Sequence, residues 1–140
     1  METKTAITVQ DSMDYNDVRS FFNAEWSAID PEPWTDRKCI ITAKRDGQLI
    51  GAARCSVSAG VAHLGELMVT RKERNNGIGT DLLAAFEQWA VAHGAHILTL
   101  DTQHYGPAQR FYERHGWRVG HVMDNHYLHK EYAGMVKEPG

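Results

Sequence analysis

The chain has 140 residues, 42% of them hydrophobic and four of them tryptophan, so it can bury the core of one compact domain. Its formal net charge of −3 disfavours a dedicated nucleic-acid binder, which usually carries a basic stripe. The N-terminus lacks the apolar core of a signal peptide, and no run reaches the ~18 apolar residues of a membrane span. We therefore expect a soluble, cytoplasmic protein without nucleic-acid or membrane partners.

The first quarter of the chain predicts a strand, a helix and a loop. A short strand at residues 6–9 precedes Asp11 and Ser12, which are suited to capping a helix from about Asp14 to Trp26. Two prolines and three acidic residues in the following segment, SAIDPEPWTDRK, predict a surface loop. The apolar side chains that we expect this helix to bury are Val18, Phe21, Phe22 and Trp26.

From Cys39 onward the pattern predicts a three-stranded antiparallel meander. Three β-rich runs, CIITAKR, QLIGAARCSVS and VAHLGELMV, are separated by Asp-Gly at residues 46–47 and Ala-Gly at residues 59–60. Asp-Gly favours a two-residue hairpin turn, because both of its central residues need a positive φ.

The first hairpin also predicts a register for the two cysteines, which are too few for a disulfide scaffold. If Arg45 pairs with Gln48 across the turn, Cys39 lies opposite Arg54 and Cys55 points to the other face. We therefore expect two free thiols and no disulfide between them.

The second half of the chain predicts two further helices alternating with strands. Apolar positions recur at helical spacing from Gly77 to His93, and HILTL is a continuous apolar strand expected inside the sheet. Pro107 and Gly116 mark the ends of the next helix. WRVGHVM and HYLHKEY predict a last antiparallel pair, and the residues from about 133 predict a flexible tail. This alternation predicts an α/β or α+β domain.

The segment RNNGIGT joins a predicted strand to a predicted helix. Backbone N–H groups in such a loop, together with the helix dipole, suit a phosphate. A P-loop needs lysine in place of Thr80, and a dinucleotide fingerprint needs glycine in place of Leu82. Because Arg71, Lys72 and Arg74 make this region a positive island in an acidic chain, it predicts a pyrophosphate or nucleotide-phosphate site.

With the residues downstream, this segment resembles the acyl-CoA-binding signature of the GNAT family of N-acetyltransferases. The family pattern Gln/Arg-x-x-Gly-x-Gly/Ala is met by Arg74, Gly77 and Gly79, and it follows a strand that ends in the aliphatic Val69. A second family pattern is met by AQRFYERHGW, and the resemblance covers roughly residues 39–132. The residues that meet the second pattern are Ala108, Phe111, Tyr112, Glu113, Gly116 and Trp117.

The resemblance implies one domain over residues 1–140 with a mixed, mostly antiparallel sheet of about six to seven strands and about four helices. It implies acetyl-CoA as cosubstrate and no metal, and family members often pair as homodimers. A bulge near Met68 would splay the sheet at the cofactor site and free backbone N–H groups for an oxyanion. The implied cofactor-binding residues are Met68, Val69, Arg74, Asn75, Asn76, Gly77, Ile78, Gly79, Thr80, Ala108 and Phe111.

Two catalytic residues are implied by the same resemblance. An alkyl amine with a pKa near ~10 must lose a proton before it attacks a thioester. Glu66, on the substrate-facing strand, is the candidate general base, or it holds the ammonium in place. Tyr112 matches the family's general acid, which protonates or hydrogen-bonds the departing thiolate. The implied reaction is direct attack by a primary amine in a ternary complex.

Acidic residues point to a cationic acceptor. Glu25, Asp30 and Glu32, together with Glu66, predict an acidic cleft for a cationic small-molecule amine. Trp26 and Trp34 are its predicted walls, and His126 lies on its flank. The spacing of the histidines at 121, 126 and 129 is awkward for a metal site on a simple strand pair. Three alternatives stay open: an acetyltransferase of protein amino groups, a non-catalytic acyl-CoA sensor, and a nucleotide-binding regulatory domain.

Overall fold

The computed structural model describes residues 5–11 and 15–140, without the side chain of Asp17. By its internal contacts the chain divides into two units, Met1–Pro33 and Trp34–Gly140.

Helix α1 (Asn16–Ile29) is the one regular element described in the first unit. The residue at its N-cap is Tyr15, without a side-chain hydrogen bond, and the predicted Ser12 and Asp14 lie outside the described residues. The predicted strand at residues 6–9 is wrong, because this segment is irregular and no described strand pairs with it.

The apolar face predicted for α1 is formed, but its predicted burial is wrong. The four side chains are between 40% and 63% exposed. Among the described residues of its own unit, the helix has no second layer of structure to cover an apolar face. The side chains concerned are Val18, Phe21, Phe22 and Trp26.

The second unit is built on a six-stranded mixed sheet with the order β1-β2-β3-β4-β6-β5. Only β3 and β4 are parallel neighbours. The strands are β1 (Asp36–Arg45), β2 (Gln48–Ser58), β3 (Val61–Val69), β4 (Ile97–Gln103), β5 (Arg118–Met123) and β6 (Tyr132–Lys137). Its helices are α2 (Ile78–Ala92) and α3 (Pro107–Arg114). The predicted fold class is confirmed, with three α-helices among the described residues rather than four.

Both predicted hairpins are present, but the register inferred for the first one is wrong. Arg45 pairs with Gln48 as predicted, yet Lys44 pairs with Leu49 while Ala43 pairs with Gly51. The extra residue in β2 is a bulge, which reverses the parity of every pair beyond it. As a result Cys39 lies directly opposite Cys55 rather than opposite Arg54.

The two cysteines are nevertheless free thiols, as predicted. The Sγ of Cys55 donates a hydrogen bond to the carbonyl oxygen of Cys39, 3.5 Å away. Burial, followed by the neighbouring Cys39, raises the pKa of the Cys55 thiol to about 12. Cys55 is therefore protonated and unreactive at neutral pH.

The sheet opens between β3 and β4. Their parallel pairing starts with Val61 opposite Ile97 and ends with Leu64 opposite Leu100. The other edge of β4 pairs with β6 from Leu98 to Gln103, but beyond Leu64 the side of β3 that faced β4 is left open. At the same level Gly65 is left without a partner on β2, so the bulge lies at Gly65 and not near Met68, which pairs regularly.

The C-terminal predictions need two corrections. The last strand is β6 and not the segment HYLHKEY, in which residues 127–129 form a 3-10 turn with positive φ at Leu128 and His129. The tail predicted from about residue 133 is also wrong, because Ala133 and Met135 are 0% exposed. These side chains of β6 complete the core, to which Phe86 of α2 also belongs.

Candidate active site

A cavity of about 730 Å³ lies at the end of β3, and we call it the loop cavity. Three parts of the second unit line it: the last residues of β3, the segment that leads into α2, and one face of α3. From β3 and the segment after it come Leu67, Met68, Val69, Glu73, Arg74, Asn75, Gly77, Gly79 and Thr80. From α3 and its C-cap come Pro107, Ala108, Arg110, Phe111, Tyr112, Arg114 and His115.

The segment before α2 presents bare backbone to this cavity. Gly77 is the N-cap of α2 with a φ of 82°, and a Cβ added there would meet nothing within 4 Å. Its carbonyl oxygen accepts the first helical hydrogen bond, from the Asp81 N–H at 3.0 Å. The first N–H groups of a helix have no intrahelical acceptor, so the start of this 15-residue helix suits an anion.

Arg74 fixes this segment to the strand before it. Its Nε donates to the carbonyl oxygen of Val69 at 3.0 Å. Arg71 and Lys72, the other two cations of the predicted positive island, form a short 3-10 turn and do not line the cavity. The guanidinium groups that line it belong to Arg74, Arg110 and Arg114.

The structure brings nine of the eleven predicted cofactor residues to this cavity. Asn76 and Ile78 do not line it; the Ile78 side chain faces β2, where a Cβ on Gly51 would lie 3.4 Å from its Cγ2. The nine are Met68, Val69, Arg74, Asn75, Gly77, Gly79, Thr80, Ala108 and Phe111. Sequence reasoning missed Arg110, Arg114 and His115, although His115 is indicated by its helical spacing of four from Phe111.

Tyr112 lies in the wall of the loop cavity and is 8% exposed. Its ring packs against Phe111 and Trp117, with centroids 5.2 Å and 5.9 Å away. Burial raises the pKa of its phenol to about 12. Among the described residues its hydroxyl has no hydrogen-bond partner, so at neutral pH it is a protonated donor available to a bound molecule.

This pKa gives a prediction for alkaline stability. Burial favours the neutral phenol, so its contribution to stability is complete below about pH 10 and is lost as the pH rises towards about 12. At ~1.4 kcal/mol per pKa unit, the wild type should lose about 2 to 3 kcal/mol more unfolding free energy than Tyr112→Phe over that range. Urea denaturation of both proteins from pH 8.5 to 12 measures the difference. Tyr105→Phe, at a residue 79% exposed, is the control; identical pH dependence in all three proteins contradicts the prediction.

A second cavity, of about 440 Å³, adjoins the bulge in β3, and we call it the bulge cavity. Residues 64–66 line the bulge cavity, while residues 67–69 line the loop cavity. Successive residues of β3 therefore line the two cavities, at the level where β3 separates from β4. The complete lining is Arg54, His63, Leu64, Gly65, Glu66, Asp101, Tyr127 and Tyr132.

Glu66, the predicted general base, lines the bulge cavity but has a cationic partner. Its Oε1 accepts hydrogen bonds from Arg54 Nη2 at 3.0 Å and from Arg54 Nε at 3.3 Å. The Arg54 guanidinium lies across the bulge, within 3.1 Å of where a Cβ on Gly65 would be. In this arrangement Glu66 Oε1 is occupied by the Arg54 guanidinium, so an acceptor amine would have to share this carboxylate with Arg54.

His63, which sequence reasoning missed, is oriented by a hydrogen-bond chain. The Thr99 hydroxyl donates to the carbonyl oxygen of Ala62 at 2.7 Å, so its only proton is already used. The contact of 2.9 Å between Thr99 Oγ1 and His63 Nδ1 is then donated by the imidazole. In the neutral ring this leaves the Nε2 lone pair free to accept a proton at the bulge cavity.

Of the two tyrosines of the bulge cavity, Tyr127 lies in the segment before β6 and Tyr132 is the first residue of β6. His126 packs its ring 4.3 Å from Tyr127 and 5.9 Å from Tyr132. It therefore supports these aromatic walls and does not itself line the cavity. The segment is joined to the end of β4, where His104 N–H donates to the Glu131 carbonyl oxygen at 3.0 Å and the two side chains also pair.

The other predicted acceptor residues lie outside these cavities. Glu25, Trp26 and Asp30 belong to the first unit, where the Asp30 carboxylate accepts the backbone N–H of Glu32 at 3.1 Å. Their role with the acceptor stays a prediction. Within residues 5–11 and 15–140, no group of three or more His, Cys, Asp or Glu side chains is placed to hold a metal.

No helix among the described residues is long and apolar enough to cross a membrane.

The sequence profile of the Acetyltransferase (GNAT) family matches residues 11–117. An acetyltransferase from Bacillus cereus ATCC 14579 has the same fold, with a TM-score of 0.79 and 20% identity over 96% of this chain and 98% of that one. Arabidopsis thaliana Naa50, in complex with the bisubstrate analogue CoA-Ac-MVNAL, gives a TM-score of 0.64 and 18% identity over 71% of this chain and 72% of that one.

A third similar structure is a candidate streptothricin acetyltransferase from Bacillus anthracis str. Ames in complex with acetyl coenzyme A. It gives a TM-score of 0.69 and 23% identity over 78% of this chain and 65% of that one. No curated protein matches the chain. The family profile covers far more than half of the 140 residues, and the fold agrees with it. The chain therefore belongs to the GNAT family of acetyltransferases.

Proposed function

We propose that the protein transfers the acetyl group of acetyl-CoA to a primary amine of a cationic small molecule, by direct attack in a ternary complex. The observation that carries this proposal is that two cavities are lined by successive parts of β3, the bulge cavity by residues 63–66 and the loop cavity by residues 67–69. A donor in one and an acceptor in the other would bring their reacting groups together at the bulge.

The residues of the loop cavity suit acetyl-CoA. The uncovered backbone from Asn75 to Thr80 and the start of α2 would hold the pyrophosphate, and three arginines line the same cavity. Met68 and Val69 pair with β2 on one side, and the other side of β3 beyond Leu64 is open to an extended pantetheine arm, which would add there like a further strand. Backbone N–H groups near the bulge would stabilise the oxyanion that forms on the thioester, and Tyr112 would donate a hydrogen bond to the departing sulfur.

The bulge cavity suits a cation. It carries two carboxylates, Glu66 and Asp101, against one guanidinium, Arg54, and it has two aromatic walls. Carboxylates and the faces of tyrosine rings both attract an ammonium group. Because Glu66 is engaged by Arg54, His63 Nε2 is the better placed acceptor for the proton that the amine loses.

This assignment predicts that His63→Gln lowers kcat by about 10²-fold near neutral pH, the lower end of the range for general-base catalysis. The substitution should leave the acetyl-CoA Kd unchanged, because His63 does not line the loop cavity. Steady-state kinetics from pH 6 to 9 measure the effect. An unchanged kcat and pH profile in His63→Gln would assign the proton transfer to another group. The same measurements on Glu66→Gln test whether that group is Glu66.

Competition between acceptors tests the acceptor class. The enzyme is incubated with equal concentrations of four acceptors: a diamine, a basic amino acid, an aminoglycoside and a short peptide with a free amino terminus. Mass spectrometry then identifies the acetylated products. We expect acetylation of the cationic small molecules. Acetylation of the peptide alone would instead favour the protein-acetylating alternative.

A further inference from the structure

His115 connects the C-terminus of α3 to the N-terminus of α2. It is the C-cap residue of α3, and its Nδ1 lies 2.7 Å from the carbonyl oxygen of Phe111. Its Nε2 lies 3.1 Å from the hydroxyl oxygen of Thr80, in the first turn of α2. Both His115 and Thr80 line the loop cavity.

These two contacts fix the protons of the neutral ring. A carbonyl oxygen can only accept, so Nδ1 must carry the proton and donate it to Phe111. Nε2 is then an acceptor, and the Thr80 hydroxyl must donate to it. In this state the only proton of the Thr80 hydroxyl points at His115. Thr80 can then only accept hydrogen bonds from a molecule in the loop cavity.

Protonation of the His115 ring reverses the direction of the hydrogen bond between Nε2 and the Thr80 hydroxyl. Both ring nitrogens of an imidazolium are donors, so Nε2–H donates to Thr80 Oγ1 and releases the hydroxyl proton. The hydroxyl can then donate to a phosphate oxygen at the start of α2, and the ring adds a positive charge nearby. A phosphate in the loop cavity therefore interacts more favourably with protonated His115 than with neutral His115.

We propose that His115 is a positioning residue that couples proton uptake to binding of the acyl-CoA pyrophosphate, by turning the Thr80 hydroxyl into a phosphate donor. This inference rests on the proposed function, which places the pyrophosphate at the start of α2. It assigns to His115 no contact with the reacting thioester.

The charges around His115 are compatible with this coupling. Lys137 of β6 donates to the His115 carbonyl oxygen at 2.8 Å and is itself paired with Glu87 of α2 at 2.6 Å. Glu73, which also lines the cavity, is paired with Arg45 at 2.6 Å. The remaining charged groups in the lining are Arg74, Arg110 and Arg114, and they stay cationic between pH 6 and 8.5.

His93 is a matched control within the same chain. It is the C-cap residue of α2, its Nδ1 lies 2.8 Å from the Trp89 carbonyl oxygen, and its ring packs against Trp89 at 4.9 Å. His115 has the same cap contact and packs against Phe111 at 4.6 Å. Only His115 adds a contact from Nε2 to Thr80 and a place in the loop cavity. Asparagine at either position retains an amide for the carbonyl oxygen and removes the Nε2 contact.

The test is calorimetric titration with dephospho-CoA, which retains the pyrophosphate but lacks the 3′-phosphate that titrates near neutral pH. Wild type, His115→Asn and His93→Asn are titrated from pH 6 to 8.5, in buffers of different ionisation enthalpy. We expect wild type and His93→Asn to take up a proton on binding and their Kd to rise about tenfold across the range. For His115→Asn we expect no proton uptake and a constant Kd.

Nitrogen-15 NMR of the histidine rings adds a readout that needs no variant. The His115 ring should carry its proton on Nδ1 in the free protein and on both nitrogens after dephospho-CoA is added. Binding by wild type without proton uptake, or equal uptake by His115→Asn, overturns the coupling and leaves the proposed function standing. If wild type does not bind dephospho-CoA or CoA at any pH, the proposed function itself fails.

Discussion

Tyr112→Phe is expected to lower kcat by about 10²- to 10³-fold, the usual effect of removing one preorganised donor from a charge that develops in the transition state. Acetyl-CoA affinity should change little, because phenylalanine retains the packing against Phe111 and Trp117. The phenol has a pKa of about 12 because it is buried. Transfer of its whole proton to a thiolate, whose conjugate acid has a pKa near ~8.5, is unfavourable. We therefore expect the hydroxyl to act as a hydrogen-bond donor to the sulfur.

Single-turnover kinetics with saturating amine measure this effect, and an equilibrium titration with acetyl-CoA measures the affinity. Tyr105→Phe is the control, because Tyr105 is 79% exposed and does not line either cavity. A second consequence is that ionisation of Tyr112 should not reduce kcat below about pH 10. Unchanged kcat in Tyr112→Phe would rule out a role for this hydroxyl in the chemical step.

Gly77→Ala is expected to weaken acetyl-CoA binding by tenfold or more, equivalent to about 1.4 kcal/mol or more. Gly77 has a φ of 82° at the N-cap of α2. Its missing side chain leaves the backbone of the loop cavity uncovered. A methyl group at this position would extend into the open space beside the loop cavity, which we expect a bound pyrophosphate to need. A residue with a Cβ is also strained at this φ, by about 1 to 2 kcal/mol.

Gly47→Ala separates the strain from the loss of binding. Gly47 has a φ of 78°, also without an atom within 4 Å of an added Cβ, but it lies in the β1–β2 turn and does not line the loop cavity. Both variants should lose similar amounts of unfolding free energy in urea denaturation, while only Gly77→Ala loses affinity for acetyl-CoA. Equal affinities in the two variants would show that the start of α2 does not hold the coenzyme.

The parts of the fold that follow from local rules could be predicted from the sequence. Asp46-Gly47 and Ala59-Gly60 have the positive φ values that two-residue hairpin turns need, and β2 and β3 span the predicted ranges. The bulge at Ile50 was not predictable in this way, because nothing in the alternation of apolar residues marks one extra residue. That single residue decides whether Cys39 faces Arg54 or Cys55.

The C-terminal strand shows a different limit. The segment AGMVK is short and contains a glycine, which local propensity assigns to a tail. It becomes a strand because β4 and β5 both offer it a pairing edge, and Ala133 and Met135 fill the core. A short segment of the sequence carries no information on such tertiary contacts, so this strand could not be predicted from local patterns.

The two cavities also differ in how far their lining residues could be predicted from the sequence. Most of the loop cavity comes from two continuous segments, so motif and helical spacing indicate its residues. The bulge cavity joins β2, β3, β4, the segment before β6 and the first residue of β6. His63, Asp101 and Tyr132 come together only through the parallel pairing of β3 with β4 and the position of β6 beside β4. Spacing in the sequence could not indicate them.

The most direct test of the central claim is release of CoA thiol from acetyl-CoA, measured with and without each amine of the acceptor panel. We expect thiol release that depends on a cationic amine, saturates in both substrates, and falls by about 10²-fold or more in Tyr112→Phe. Tight binding of acetyl-CoA without thiol release on any amine would contradict this account and indicate a non-catalytic acyl-CoA sensor.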